Sequence, residues 1–327
     1  MIEGGLALGG PERLQRVAVI GNGIIGHGVA QLFAVAGIPV RMIGRREASL
    51  EAARDKIRDS LARFRSEGLI TADAAAAALD RISVSTELQS AADAELVIEA
   101  VTEDLTLKHD LFGRLDRICA PPAVLGSSSG QPASRLVARV EHRERVIAAH
   151  FWNPPQLIPL VEVCAGPETD PAIVPWLTAI LRRIGKQPVV VQREIDGFLG
   201  NRLQFALLRE ALALWADGVA SAEAIDLAVK TSFGRRLAAT GPLESADLGG
   251  LETMRAFAAF LFPSLATNAE PPAAMDEAIR SAAREGRPPA ISDWDRRDRA
   301  AVAAARTELL LYHLRRDGAA SASARRP

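Results

Sequence analysis

Val17-Ala18-Val19-Ile20-Gly21-Asn22-Gly23-Ile24-Ile25-Gly26 switches from one kind of backbone to another within ten residues. Four apolar residues in a row read as a short strand buried on both faces. Beyond the glycines, Val29, Ala30, Leu32, Phe33 and Ala36 recur at helical spacing. Strand, glycine turn and helix in that order give the Gly-x-Gly-x-x-Gly spacing a mechanical reason. Gly21 makes the tight turn, Gly23 lets a pyrophosphate approach the backbone, and Gly26 lets the helix pack against the sheet. Ile24 and Ile25 lie inside the same turn and count with the cofactor-binding residues. Alone the spacing is weak; between a strand and a helix it becomes specific. The chain therefore opens as an α/β, Rossmann-like dinucleotide-binding domain.

Outward from that turn the pattern repeats. Gly37-Ile38-Pro39 ends the helix, Val40 to Ile43 makes the second strand, and a helix runs through Leu50, Ile57, Leu61 and Phe64. Thr71 to Leu79 reads as an additional alanine-rich helix before the strand Ile82 to Ser85. Leu96-Val97-Ile98-Glu99-Ala100 is the next strand, Glu103 to Ile118 the helix after it, and Val124-Leu125-Gly126 a strand that delivers Ser127-Ser128-Ser129-Gly130 to the same edge. A serine cluster of this kind serves as a loop, a helix cap or a substrate-binding hydroxyl.

Val146-Ile147-Ala148-Ala149 ends in His150, which places an imidazole where a strand meets a loop, the ligand-binding side of α/β folds. Asn153-Pro154-Pro155 stops the strand because proline has no donor for the ladder, and Leu160-Val161-Glu162-Val163 begins another with one carboxylate inside it. A lone carboxylate among apolar residues needs a partner. A strand, a turn and a return would bring Glu162 beside His150, where it fixes the ring's tautomer and stabilises the protonated form. From these two residues alone, a solvated histidine and an edge-strand glutamate fit equally well.

A helix over Pro171 to Ile184 and the run Pro188 to Val191 complete the first domain, assigned to residues 12–192. The composition then turns helical: a long helix reaches Trp215, others run through Val229, from Leu243 and near Leu265, and a last one covers Asp295 to Arg315. This all-helical domain spans 193–316, with loose tails at 1–11 and 317–327.

A net charge of −1 over 327 residues gives no basic footprint for nucleic acid. No apolar run approaches the roughly 20 residues a membrane span needs, and no signal peptide is legible at Met1 to Arg13, so the cytoplasm is the expected compartment. Cys119 and Cys164 have no metal-ligand spacing and read as small core residues, with no metal expected.

Together, Gly21-x-Gly23-x-x-Gly26, Ile98-Glu99-Ala100-Val101-x-Glu103, His150-x-x-Asn153-Pro154, Leu160-Val161-Glu162 and Gly197-Phe198-x-x-Asn201-Arg202 resemble the 3-hydroxyacyl-CoA dehydrogenase superfamily over nearly the whole chain. The likeness is strongest to its lambda-crystallin, L-gulonate 3-dehydrogenase and carnitine 3-dehydrogenase branch, through Asn153-Pro154-Pro155, Asn201 to Ala206, and the Ser232 to Ser245 segment. Arg63-Phe64-x-x-x-Gly68-Leu69-Ile70-Thr71 resembles the bacterial hydroxybutyryl-CoA enzymes instead, which leaves substrate size open. The resemblance implies His150 as catalytic base, Glu162 as its partner, and Ser129 and Asn201 as groups that hydrogen-bond substrate. It implies Glu103 and Lys108 on the nicotinamide ribose side, Asn153 near substrate and cofactor, and a homodimer built by the helical domain. The reaction implied is oxidation of the 3-hydroxyl of a small hydroxy acid, or its reverse. The alternatives are a 3-hydroxyacyl thioester substrate and a non-enzymatic, crystallin-like protein.

Several residues depart from that pattern or add to it. Ser127 stands where many acyl-CoA enzymes have asparagine. Trp152 beside the base reads as core filling or as narrowing the pocket. Gly44-Arg45-Arg46 stands where NAD-dependent relatives carry an acidic residue for the ribose 2′-hydroxyl, so NADP(H) is the expected cofactor, with NAD(H) as the alternative. Arg235 and Arg236 are candidates for holding a substrate carboxylate.

Overall fold

The computed structural model describes residues 6–294 and 297–323. It divides into two compact units: one runs through Leu199 and takes in the chain from Arg306 onward, the other is Gly200–Ala305.

The first unit is an eight-stranded sheet in the order β3-β2-β1-β4-β5-β6-β7-β8. Its strands are β1 (Val17–Ile20), β2 (Val40–Ile43), β3 (Ile82–Ser85), β4 (Leu96–Glu99), β5 (Val124–Ser127), β6 (Val146–Phe151), β7 (Leu160–Ala165) and β8 (Gln187–Val190). The first six are parallel, β7 runs antiparallel to β6, and β8 is parallel to β7. The strand order reverses between β1 and β4, the switch point at which such sheets open a crevice for ligand.

Alternation along each strand splits the core in two. Val17 and Val19 pack with Val29, Phe33, Leu50, Ile57, Leu61, Trp176 and Leu177 from α1 (Ile24–Val35), α2 (Glu47–Ser66) and α5 (Ile173–Arg183). Ala18 and Ile20 face the other way, onto Leu111, Phe112 and Leu115 of α4 (Leu105–Ile118). Both faces are covered, which is why these strands read as continuous apolar runs and not as alternating ones. The additional helix is α3 (Ala72–Asp80), and its Thr71 cap accepts a hydrogen bond from Ala74 N.

Both chain ends are held more tightly than their composition suggests. Where a loose tail is expected at 1–11, Leu6 N donates to Asp170 Oδ2 (2.7 Å), Trp176 Nε1 to Gly9 O (2.7 Å) and Arg183 Nη1 to Glu12 O (2.9 Å). The segment has no periodicity of its own, but its bare backbone groups suit the polar edge of α5. Met1 to Gly5 lie outside the described residues. The last helix, α11 (Arg299–Ser323), continues through part of the expected tail at 317–327. Glu308 and Arg315 on it pair with Arg63 of α2 and with Glu67, which caps the end of α2, and Leu311 is buried, which draws this part of the helix into the first unit. Asp295, its expected start, and residues 324–327 lie outside the described residues.

The second unit contains α6 (Gly200–Ala216), α7 (Ala222–Thr231), α8 (Pro242–Gly249), α9 (Leu251–Leu261), α10 (Ala273–Arg284) and the start of α11. The division after Leu199 falls a few residues beyond the expected 192/193 boundary, because the Gly197–Leu199 turn belongs with the sheet. No helix among the described residues is long and apolar enough to cross a membrane.

Candidate active site

Register lines up the polar groups along the carboxyl edge. Ile20 of β1, just before Gly21, pairs with Glu99 of β4, Glu99 with Ser127 of β5, and Ser127 with Ala148 of β6, two residues before His150. Glu99 and Ser127, at the ends of β4 and β5, are buried polar groups, while His150 near the end of β6 is partly open.

His150 lies inside β6, directly opposite Glu162 on β7. Its Nδ1 is 2.8 Å from Glu162 Oε2, and Glu162 is fully buried while the imidazole keeps a narrow opening. A carboxylate only accepts hydrogen bonds, so Nδ1 carries the proton and Nε2 is left as the basic nitrogen. Glu162 also accepts from Trp152 Nε1 (3.1 Å, on Oε2) and from Leu199 N (2.8 Å, on Oε1). Donors on both oxygens are what a buried carboxylate requires. The Leu199 donor depends on a strained turn: Gly197 has φ 74 and Phe198 φ 48, a conformation that a non-glycine residue adopts only when its surroundings impose it. Phe198 is itself fully buried, with its ring 5.8 Å from that of His150. The Gly197-Phe198 pair thus caps the base and completes Glu162 in one turn.

A second buried network sits one strand over. Glu99 Oε1 accepts from Lys108 Nζ and Val101 N, both at 2.7 Å, and Oε2 accepts from Ser127 Oγ at 2.5 Å. Ser127 Oγ in turn accepts from Ser129 N (3.2 Å). Ser129 is buried; its Oγ donates to Glu103 Oε2 (2.7 Å) and accepts from Gln131 N (3.0 Å). Lys108 is buried against Glu99, with Glu103 3.7 Å from its Nζ, so of the two candidates for the ribose side Glu103 presents the open side chain.

The glycine turn fits a dinucleotide. A Cβ on Gly21 would stand 2.5 Å from Ala100 O, one on Gly26 would collide with Gly21 O, and one on Gly23 would meet nothing within 4 Å. Gly23 caps α1 without a side-chain hydrogen bond, which leaves first-turn amides, including those of Ile24 and Ile25, for a phosphate. At the end of β2, a Cβ on Gly44 would come within 2.7 Å of Asn22 Oδ1, the end of a side chain that would have to shift to admit one. Arg45 and Arg46 are exposed beside it, Arg46 as the N-cap of α2.

Asn153 is exposed and joined to Pro154 by a cis peptide bond just past the base strand. Asn201 near the start of α6, and Arg235 and Arg236 at the end of a 3-10 turn, belong to the second unit; both arginines are exposed there. Sequence reasoning missed the donor role of Trp152, the Leu199 amide and Glu99. Glu99 was within reach of it, since a lone carboxylate ending the run Leu96-Val97-Ile98 is the same signal that singled out Glu162.

A glycine turn at the switch point, with a histidine–carboxylate pair on the same edge, is the layout of an oxidoreductase that uses a nicotinamide dinucleotide. Residues 16–195 match the 3-hydroxyacyl-CoA dehydrogenase, NAD binding domain, and residues 197–290 match the C-terminal domain of the same family. The chain is 39% identical over 235 residues to the lambda-crystallin homolog of Bos taurus, covering 71% of this chain and 73% of that protein. It is 38% identical over 244 residues to L-carnitine dehydrogenase of Streptomyces griseus, covering 74% and 72%. The crystal structure of 5-formyl-3-hydroxy-2-methylpyridine 4-carboxylic acid 5-dehydrogenase, described as an NAD+-dependent dismutase, superposes with a TM-score of 0.83 at 28% identity over 93% of this chain and 99% of that one. The chain belongs to the 3-hydroxyacyl-CoA dehydrogenase family, and is an oxidoreductase with an NAD-binding domain.

Proposed function

We propose that the protein oxidises the 3-hydroxyl of a small free hydroxy acid, or reduces the corresponding ketone, with His150 and Glu162 as its proton-handling unit. The observation that carries this reading is the 2.8 Å bond between His150 Nδ1 and the fully buried Glu162. With Nδ1 tied down, Nε2 takes the proton of the substrate hydroxyl as the carbon gives up hydride, and Glu162 offsets the imidazolium charge. The bound nicotinamide dinucleotide supplies the hydride acceptor or donor. Ser129 and Asn201 hydrogen-bond the substrate oxygen, Asn153 lines the site, and Glu103 with Lys108 beneath it serves the ribose side. Arg235 and Arg236 are assigned to the substrate carboxylate, whose planar oxygens match a guanidinium.

Similarity to L-carnitine dehydrogenase supports the free acid. The second reading, a 3-hydroxyacyl thioester, is favoured by the family's own description and by the α2–α3 pair with its Arg63-Phe64 to Thr71 sequence. A crystallin-like, non-enzymatic role is disfavoured because a buried histidine–glutamate pair and a buried serine network have no use in a merely soluble protein. A turnover screen of L-carnitine, L-gulonate, L-3-hydroxybutyrate and L-3-hydroxybutyryl-CoA, each with both nicotinamide cofactors, separates the readings. A specificity constant for the thioester well above every free acid rejects the first.

We infer a preference for NADP(H) from the exposed Arg45 and Arg46 and from Gly44, which leaves no carboxylate at the end of β2. The dismutase relative, described as NAD+ dependent, stands on the other side, and NAD(H) is the alternative. Dissociation constants for NADPH and NADH on the parent and on Arg45→Ile test this without disturbing Asn22. Tighter NADH binding by the parent rejects it.

A homodimer built by the helical domain is also proposed. Helices α6, α7, α8 and α9 bury no residue among those described, and Phe205, Leu243 and Phe260 are 59%, 80% and 76% exposed. Apolar surface on that scale marks an interaction face. Sedimentation should give a dimer, and Phe260→Asp should shift it toward monomer.

A further inference from the structure

Glu162 accepts from Trp152 and from Leu199 N as well as from His150, and of these two added donors Trp152 shares the imidazole's oxygen. Trp152 Nε1 donates to Oε2 at 3.1 Å, the same oxygen that accepts from His150 Nδ1 at 2.8 Å. We propose that Trp152 is a positioning residue of the base unit, whose indole N–H shares one carboxylate oxygen with the imidazole and so limits how firmly Glu162 holds a proton on His150. The inference rests on the reading of His150 and Glu162 as that unit.

The placement follows from the strand. His150 lies in β6 opposite Glu162, and Trp152, the first residue past that strand, brings its indole to the same carboxylate. The two rings meet edge to face, with centroids 5.9 Å apart and planes at 60°. A tryptophan that only filled space would need no more than its rings, and phenylalanine would pack there without a donor. Here the N–H is directed to a buried carboxylate, where a hydrogen bond to a charged acceptor is stronger than in water.

Charge drawn toward the indole N–H is not available to an imidazolium on the same oxygen. Glu162 is therefore oriented by Trp152 and Leu199 before any proton moves, and His150 is held in one tautomer without becoming a trap for the proton it takes. The consequence is a base that releases its proton again at the end of the cycle.

Among the described residues, the neighbouring ionisable groups Cys164, Glu194, Asp196, Glu103 and Glu99 are neutral or have partners of their own. Cys164 lies on β7 beyond Glu162, and burial pushes its thiol up to about 11, so it stays neutral. Glu194, in the segment after β8, accepts from Ser134 N, and Asp196 pairs with Arg135. On the far side of β5, Glu103 is bound to Ser129 and Glu99 to Lys108.

The test is a pH titration of the full chain labelled with 15N-histidine and 15N-tryptophan, followed by NMR. The chain has five histidines and four tryptophans, so His150 is assigned by its loss in His150→Gln and Trp152 by its loss in Trp152→Phe. In Trp152→Phe the charged form of His150 should persist to higher pH than in the parent. In Glu162→Gln it should be lost at lower pH, and the Trp152 indole N–H signal should move. A His150 midpoint unchanged or lowered in Trp152→Phe overturns the proposal. So does an indole signal that does not respond to Glu162→Gln, a readout that needs no change at Trp152. If Glu162→Gln leaves the His150 titration untouched, the base unit itself is rejected, whatever Trp152 does.

Discussion

Two histidines of the first unit stand beside buried carboxylates, and they are built for different ends. His150 Nδ1 lies 2.8 Å from Glu162 Oε2, with the ring mostly enclosed; His142 Nδ1 lies 3.3 Å from Asp116 Oδ1, with its side chain 51% exposed. Asp116 is already held by Arg145, whose Nε and Nη2 reach Oδ1 at 2.9 and 2.7 Å, and Glu141 N donates to Oδ2 at 2.8 Å. Burial pushes the Asp116 carboxyl up, but the Arg145 guanidinium and the backbone donors outweigh it and hold the group below its ordinary range. A permanent cation has matched that carboxylate, so His142 adds little. Glu162 meets His150 with neutral N–H donors beside it, and its charge remains useful to an imidazolium. Burial of a carboxylate is thus no mark of a base by itself; the kind of donor around it is.

The comparison breaks first on turnover. His150→Gln should lower kcat about a thousandfold with little change in cofactor dissociation constant, whereas His142→Gln should stay within about twofold of the parent. Equal losses from the two variants would remove the distinction.

Stability should show the reverse. Arg145→Met leaves Asp116 as a buried charge without its guanidinium and should cost about 3–5 kcal/mol in urea unfolding. Glu162→Gln keeps the shape of the side chain and should cost much less.

The pH dependence follows from the lowered Asp116 carboxyl. Its stabilising contribution is fully present above the ordinary value of 3.8 and is lost as pH falls through the lower folded-state value. Asp116→Asn should therefore be less stable at neutral pH and show a shallower loss of stability in acid. A parent-like acid limb in the variant would mean that other carboxylates govern it.

The smallest effect concerns the thiols, one in each region. Burial pushes both Cys119, next to Arg145, and Cys164, on the Glu162 strand, up to about 11, so neither should react with a thiol reagent at pH 8 except through local opening. Arg145→Met should speed modification of Cys119 more than that of Cys164.

Much of this was legible in the residues. The glycine turn identified the first unit because each glycine answers a local need, at Gly21 and Gly26 a backbone approach and at Gly23 open space. The His150–Glu162 pairing was half legible: proline stopped one strand and a lone carboxylate interrupted the next, but a solvated histidine and an edge-strand glutamate fitted those residues equally well until the family resemblance was added. The docking of Leu6 to Glu12 on α5, the capture of α11 by α2, and the Trp152 donor were not. Each depends on a few directed hydrogen bonds or ion pairs, which leave no periodicity behind. Arg145 reads as one more surface arginine until the fold buries it on Asp116.

The central claim is that His150 and Glu162 work as one unit, and a double-mutant cycle on kcat tests it most directly. With whichever acid or thioester of the screen is turned over fastest, His150→Ala, Glu162→Gln and the double variant are compared with the parent. The account predicts that the double variant is scarcely slower than His150→Ala alone, since a partner has nothing to hold once the imidazole is gone. Effects that multiply in full, as for independent residues, would contradict it.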